Sequence, residues 1–330
     1  MIGDFMQASE ALSWQRNIWG EIARQVDNNR MPHAILLEGS AGLGKLYFAR
    51  LLAKYLLCRN RIGLLPCGGC KGCDLMRVGN HPDLSIVEPE KVGKSIGIGD
   101  VRKLSDRLNK TAQQGGWKIA LINPADSLTL QASNALLKTL EEPTGDTTIL
   151  LTSQFVWRLP NTVRSRCHRI LFTTPSSNIS IKWIEQFTKN PSLAREVLEI
   201  ADGRPFLAKY FLDTKMYRQR VEFEKWIGRV SRFEGSPLDA ARFCQRNDHV
   251  QLVEWFLTYL AKRVKQDLAN KCVPPVFIFY DKLFQARNWF LSKANPNPQL
   301  IWEEIFFDFR TLCQKMDSQL DWSTNATKLS

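Results

Sequence analysis

The sequence predicts a parallel α/β sheet domain at the front of the chain and helical domains behind it. Three observations carry this reading. Short apolar runs alternate with helical patterns through the first half, and a glycine-rich loop joins the first such run to a helix. After about residue 215 every periodic segment has helical spacing. Strands that alternate with helices imply a parallel sheet covered on both faces.

In chain order, AILLE (34–38) is the first strand and runs into the glycine loop; LYFARLLAKYLLC (46–58) follows with helical periodicity. DLSIVEP (83–89) is a strand, and VRKLSDRLNKTA (101–112) repeats apolar residues at helical spacing until Gly115-Gly116 stops it. WKIALIN (117–123) is a buried strand, and LQASNALLKTLEE (130–142) is a helix stopped by Pro143. TTILLTS (147–153) and HRILF (168–172) supply two more strands, and TTPSSNIS (173–180) reads as a linker. WIEQF, LAREVLEIA and FLAKYFL then form a small helical domain, separated by Pro191 and Gly203. Beyond it, helices rich in Trp, Phe and Leu break at Gly235-Ser236-Pro237, at Pro274-Pro275 and at 295–298. The tail DSQLDWSTNATKLS reads as frayed.

The 330 residues suffice for two or three cores, and 44% hydrophobic with 24% charged residues is the balance of a soluble globular chain. No stretch approaches the ~20 apolar residues of a membrane span, and the start has no secretory pattern, so the expected location is the cytoplasm. The net charge of +12 favours acidic partners such as nucleic acid, or simply a soluble basic surface.

The loop EGSAGLGKL places Gly39, Gly44 and Lys45 where a phosphate-cradling loop has its glycines and lysine, but Leu46 stands where a hydroxyl would ligate magnesium. The third strand ends in Asn123-Pro124 where the partner carboxylates belong, and Asp126 comes too late. Hydrolysis by this chain alone is therefore not expected. Weak nucleotide binding, or a glycine turn kept only for packing, remain the open alternatives.

Of eight cysteines, four crowd together as Cys58, Cys67, Cys70 and Cys73, a C-x8-C-x2-C-x2-C pattern. Four thiolates at this spacing suit a closed, structural zinc site, and a reducing compartment disfavours disulfides. Glycines between the cysteines let the backbone turn each sulfur inward, and Lys71 offsets anionic charge; His81 is read as part of a turn.

These motifs converge. GSAGLGK, the cysteine cluster behind its helix, GNHPDLSIVEPE, NALLKTLEEP (134–143) and Ser165-Arg166-Cys167 resemble the delta-prime family of bacterial DNA polymerase III clamp-loader subunits, relatives of AAA+ ATPases. The resemblance covers the first half by motif and the rest by length and class. It implies an AAA+ sheet domain over 1–173 with a zinc module at 58–73, a helical lid over 174–215, and an all-α collar over 216–330. It further implies assembly with delta and gamma/tau subunits, in a complex that places the sliding clamp on primer-template DNA within the replisome. Arg166 would be an arginine finger directed into a neighbour's ATP site, so that the chain has no activity of its own but belongs to the polymerase holoenzyme. Arg204 and Thr152 fall near phosphate-sensing positions of such proteins. Arg102, Lys103, Arg107 and Lys110 would meet DNA phosphates or form a solvated face. An autonomous ATPase and a zinc-containing nucleic-acid-binding protein are the competing expectations.

Overall fold

The computed structural model describes residues 10–91, 93–114, 116–267, 274–291 and 297–317. The chain divides into two compact units, Met1–Asp213 and Thr214–Ser330.

In the first unit, five strands form one parallel sheet: β1 (Ala34–Glu38), β2 (Leu84–Val87), β3 (Lys118–Ile122), β4 (Thr147–Ser153) and β5 (His168–Leu171). Their order is β2-β3-β4-β1-β5. The register sets Leu36 opposite both Leu151 and Arg169. β1, β3 and β4 are buried along their whole length, which is why they read as unbroken apolar runs rather than alternating ones. Alternate residues nevertheless serve different faces. Ile35 and Leu37 join a core with α1 (Arg16–Asp27) and α2 (Lys45–Leu57). Ala34 and Leu36 join a second core with α4 (Ile98–Leu108) and α5 (Leu130–Glu141), across the sheet.

α3 (Lys71–Val78) follows the cysteines, α6 (Asn161–Arg164) precedes Arg166, and α7 (Ser177–Ile184), α8 (Pro191–Ile200) and α9 (Pro205–Thr214) close the unit. Two expectations shift. α7 begins inside the stretch read as linker: Ser180 donates its N–H to the Ser176 carbonyl and is buried. Serine and asparagine favour linkers and helix starts alike, so composition alone did not separate the two. α4 begins earlier than expected, with the Asp100 carboxylate accepting the Gly97 N–H, and it ends at Leu108. Lys110 therefore lies past the helix, while Arg102, Lys103 and Arg107 stand exposed opposite buried Val101, Leu104 and Leu108. Gly115, Cys272 and residues 318–330 lie outside the described residues.

The second unit holds α10 (Met216–Ser231), α11 (Pro237–Gln245), α12 (His249–Asp267), α13 (Pro274–Leu291) and α14 (Pro298–Asp317). Its core is aromatic. The Phe223 ring lies 5.8 Å from Phe256 and 6.2 Å from Trp302, and Phe256 lies 5.0 Å from Phe309. Among the described residues no helix is long and apolar enough to cross a membrane.

Candidate functional site

β1 delivers the chain into the glycine loop, and α2 leaves it. Gly39 (φ +138°) passes so close to β5 that an added Cβ would stand 2.4 Å from the Phe172 carbonyl oxygen. Gly44, in the left-handed region, begins α2. Lys45 is the first helical residue and is buried. Its ammonium turns back on the loop, donating to the carbonyls of Gly39 (2.6 Å) and Ser40 (2.7 Å). Burial lowers its pKa from 10.5 to about 8, against the opposing pull of Asp126. Leu46 packs against the core beneath the sheet, as its apolar side chain requires.

At the end of β3, Asn123 accepts a hydrogen bond from the Thr152 hydroxyl (2.6 Å) and donates to Glu88 (2.9 Å). Asp126 lies in the next turn, where Oδ1 accepts from the Gln154 N–H (2.8 Å). Although it comes late in sequence, it remains within electrostatic reach of Lys45.

The cleft above the loop, about 310 Å³, is lined by Lys45, Leu46, Tyr47, Asn123, Thr152 and Phe206, among others. α9 closes over it. The Phe206 N–H donates to the Gly42 carbonyl (2.9 Å), and a Cβ on Gly44 would meet the Phe206 ring at 2.6 Å. The ring is surrounded by Trp183 (4.9 Å), Tyr47 (5.8 Å) and Trp14 (6.4 Å). Trp14 and Gln15 also donate to the Leu43 and Gly44 carbonyls. Arg204 is turned into its own corner, bonded to the Ala201 carbonyl and paired with Asp202 (3.2 Å). No local sequence signal brings Trp14, Trp183 and Phe206 together, and sequence reasoning missed this cluster.

Arg166 follows α6 on the opposite core layer. It is partly exposed, donates to the Thr162 carbonyl (2.9 Å) and is paired with Glu141 at the end of α5.

Cys58, Cys67, Cys70 and Cys73 converge with all four sulfurs within 4.8 Å of one another. The Sγ separations include 3.6 Å (Cys58–Cys67), 3.8 Å (Cys58–Cys70) and 4.0 Å (Cys67–Cys73). A zinc tetrahedron with ~2.3 Å bonds has edges of about 3.8 Å, close to these three separations, so the donor set suits such a metal. Burial raises the Cys58 and Cys73 thiols. Burial acts on Cys70 too, but the N–H groups of Cys73 and Arg59 outweigh it and bring that thiol down to about 6. The cysteine-bearing segment packs tightly on α2, since a Cβ on Gly72 would lie 2.4 Å from the Leu57 carbonyl oxygen. His81 stands outside the four, its Nδ1 accepting the Asp83 N–H (3.2 Å).

Residues 14–176 match the protein family described as DNA polymerase III, delta subunit. The chain is 31% identical over 321 residues to DNA polymerase III subunit delta' of Pseudomonas aeruginosa, covering 91% of this chain and 97% of that one. It is 34% identical over 260 residues to the delta' subunit of Haemophilus influenzae, covering 77% of each. Subunit tau/gamma of Haemophilus influenzae is 37% identical over 153 residues, 46% of this chain and 22% of that one.

Proposed function

Because this chain belongs to the family of DNA polymerase III delta' subunits, we propose that it serves the clamp loader as a subunit that hydrolyses no ATP and lends a guanidinium to a neighbour that does. The observation that carries the reading is the state of its own cleft. Lys45 is spent on the loop's carbonyls, Leu46 and Asn123 replace the ligands a magnesium ion would need, and Phe206 rests on Gly44. Hydrolysis needs a held metal and a polarised water, and neither has a place here.

Arg166 is the finger. Stabilising charge that develops on a transferring phosphoryl group is worth about 10³ to 10⁵ in rate where such arginines have been removed from GTPases. A side chain that serves a neighbour must reach the surface, and the partial exposure of Arg166 meets that requirement. In the assembled ring the guanidinium exchanges Glu141 for the neighbour's γ-phosphate.

The proposal divides the chain into a sheet domain (1–173) carrying the zinc module, a lid (174–215) and a collar domain (216–330). Phe277, Phe284 and Leu291 recur every seven residues along α13 and are all about half exposed, which supports a helical contact with neighbouring delta and gamma/tau subunits. Arg102, Lys103 and Arg107, exposed on α4, are suited to primer-template phosphates, which any sequence presents. Zinc, when bound, supplies a cross-link that ties the end of α2 to α3. The chain works in the cytoplasm at the replication fork and meets the sliding clamp through its partners.

Reconstitution with delta and gamma/tau tests this. The purified chain should turn over no ATP. The Arg166→Ala complex should assemble normally but lose ATPase and clamp-loading rate. Turnover by the chain alone, abolished by Lys45→Ala, would overturn the reading, and unchanged rates for Arg166→Ala would remove the finger from it.

A further inference from the structure

His81 is buried at the start of the turn that leads into β2, beside the cysteine cluster. Its Nδ1 accepts the Asp83 backbone N–H at 3.2 Å. A nitrogen that accepts carries no proton, so the imidazole proton sits on Nε2 and makes Nε2 a donor. That donor is buried and has no partner among the described protein atoms. Leaving a buried N–H unmade costs about 1–3 kcal/mol, so an acceptor belongs beside it.

The surroundings place it beside the cysteine-bearing backbone. A methyl group built on Gly72 would stand 3.7 Å from Nε2 and 2.4 Å from the Leu57 carbonyl oxygen. Nε2 therefore abuts the backbone between Cys70 and Cys73, at the point where α2 ends and Cys58 follows. His81 and Cys58 also line one cavity of about 550 Å³, with Arg59, Arg61 and Trp117. Four thiolates around one Zn²⁺ keep two net negative charges, and their sulfurs accept hydrogen bonds that fix ligand orientation.

We infer that His81 is the positioning residue of the zinc module, its Nε2–H standing against the cysteine-bearing backbone so that it would donate to a thiolate when the metal is bound. The inference rests on the zinc reading above. It also gives the His81–Pro82–Asp83 turn a mechanical role. The Asp83 carboxylate accepts from the N–H groups of Gln113 (2.6 Å) and Gln114 (2.9 Å), ahead of β3. The turn thus braces the metal module against the sheet at the end opposite the glycine loop.

The test uses the full-length chain. Native mass measurement first establishes one zinc per chain. The metal is then replaced by cadmium-113, and the histidine Nε2–H is examined by NMR for scalar coupling to cadmium through the N–H···S bond. Coupling on His81 is expected. His81→Phe, which fills the space without a donor, should release zinc to a chelator about 10- to 100-fold faster, and His81→Gln should recover part of that loss. One zinc per chain with no coupling, or an unchanged release rate in a folded His81→Phe chain, removes His81 from the role. A chain that binds no zinc removes the zinc reading as well.

Discussion

Replacing Lys45 by methionine keeps the aliphatic stem and deletes the charge. The change isolates what the buried ammonium costs. Burial holds the Lys45 pKa near 8 in the folded chain, against 10.5 when exposed. Below pH 8 both folded and unfolded chains carry the proton, and the folded state bears the full burden of a desolvated charge. Between about 8 and 10.5 the folded chain has released the proton while the unfolded chain keeps it, so the unfolded state binds more protons and stability rises with pH. Above that window both are neutral and the burden is gone. The interval corresponds to about 3 kcal/mol. The wild-type chain should therefore gain about 3 kcal/mol relative to Lys45→Met between pH 7.5 and 10.5, measured by urea unfolding at each pH. Other titrating groups cancel in this difference, as does the pH-independent loss of donors to Gly39 and Ser40. Millimolar Mg·ATP should leave the difference unchanged, because a bound triphosphate would hold the proton on Lys45 and move the window upward. A flat difference would refute the buried-charge argument, and a window moved by ATP would refute the closed cleft.

Gly44→Ala forces a Cβ into the left-handed region and to within 2.6 Å of the Phe206 ring, so it should cost about 1–3 kcal/mol in urea unfolding. Adding Phe206→Ala should remove the steric part of that coupling in a double-mutant cycle. Cys70→Ser should abolish zinc retention in native mass spectra. For the intact site, apparent zinc affinity in chelator competition should fall as the pH falls, because each thiol must lose its proton and burial raises Cys58 and Cys73. Restoring the missing ligand types with Leu46→Thr and Asn123→Asp together should produce no ATPase in the isolated chain, since Phe206 still covers Gly44; measurable turnover would show that the lid contact is not the barrier.

The strands were legible because a parallel sheet buried on both faces demands unbroken apolar runs, and AILLE, KIALI and TTILLTS are such runs. The cysteine cluster was legible because metal ligands keep a characteristic spacing, and the four sulfurs do meet closely enough to hold a metal ion. The loss of the hydroxyl at Leu46 and of the carboxylate at Asn123 could be read letter by letter. What closes the cleft could not. Trp14, Trp183 and Phe206 come from separate helical segments, and each alone looks like an ordinary core aromatic. The pairing of Arg166 with Glu141 was equally hidden, since Glu141 ends α5, Arg166 follows α6, and a strand lies between them in sequence. Periodicity reports which face of an element is buried, and it is silent on which distant element does the burying.

These changes at the cleft support one another physically. Leu46 is half-buried, lining the cleft on one side and packing on the core of α1 and α2 on the other, so its apolar surface gains from that contact. Asn123 is neutral, and its acceptor is already engaged by Thr152, so it offers Lys45 no countercharge. The ammonium satisfies itself on the Gly39 and Ser40 carbonyls at the edge of the cleft. Phe206 lines the same cleft, its backbone N–H bonded to the Gly42 carbonyl and its ring close to Gly44. The glycines have a packing reason of their own: a Cβ at Gly42 or Gly44 would collide with α9. In the proposed function the glycine loop serves as a joint between the sheet and α9, and the one guanidinium assigned to phosphate chemistry, that of Arg166, lies outside this joint.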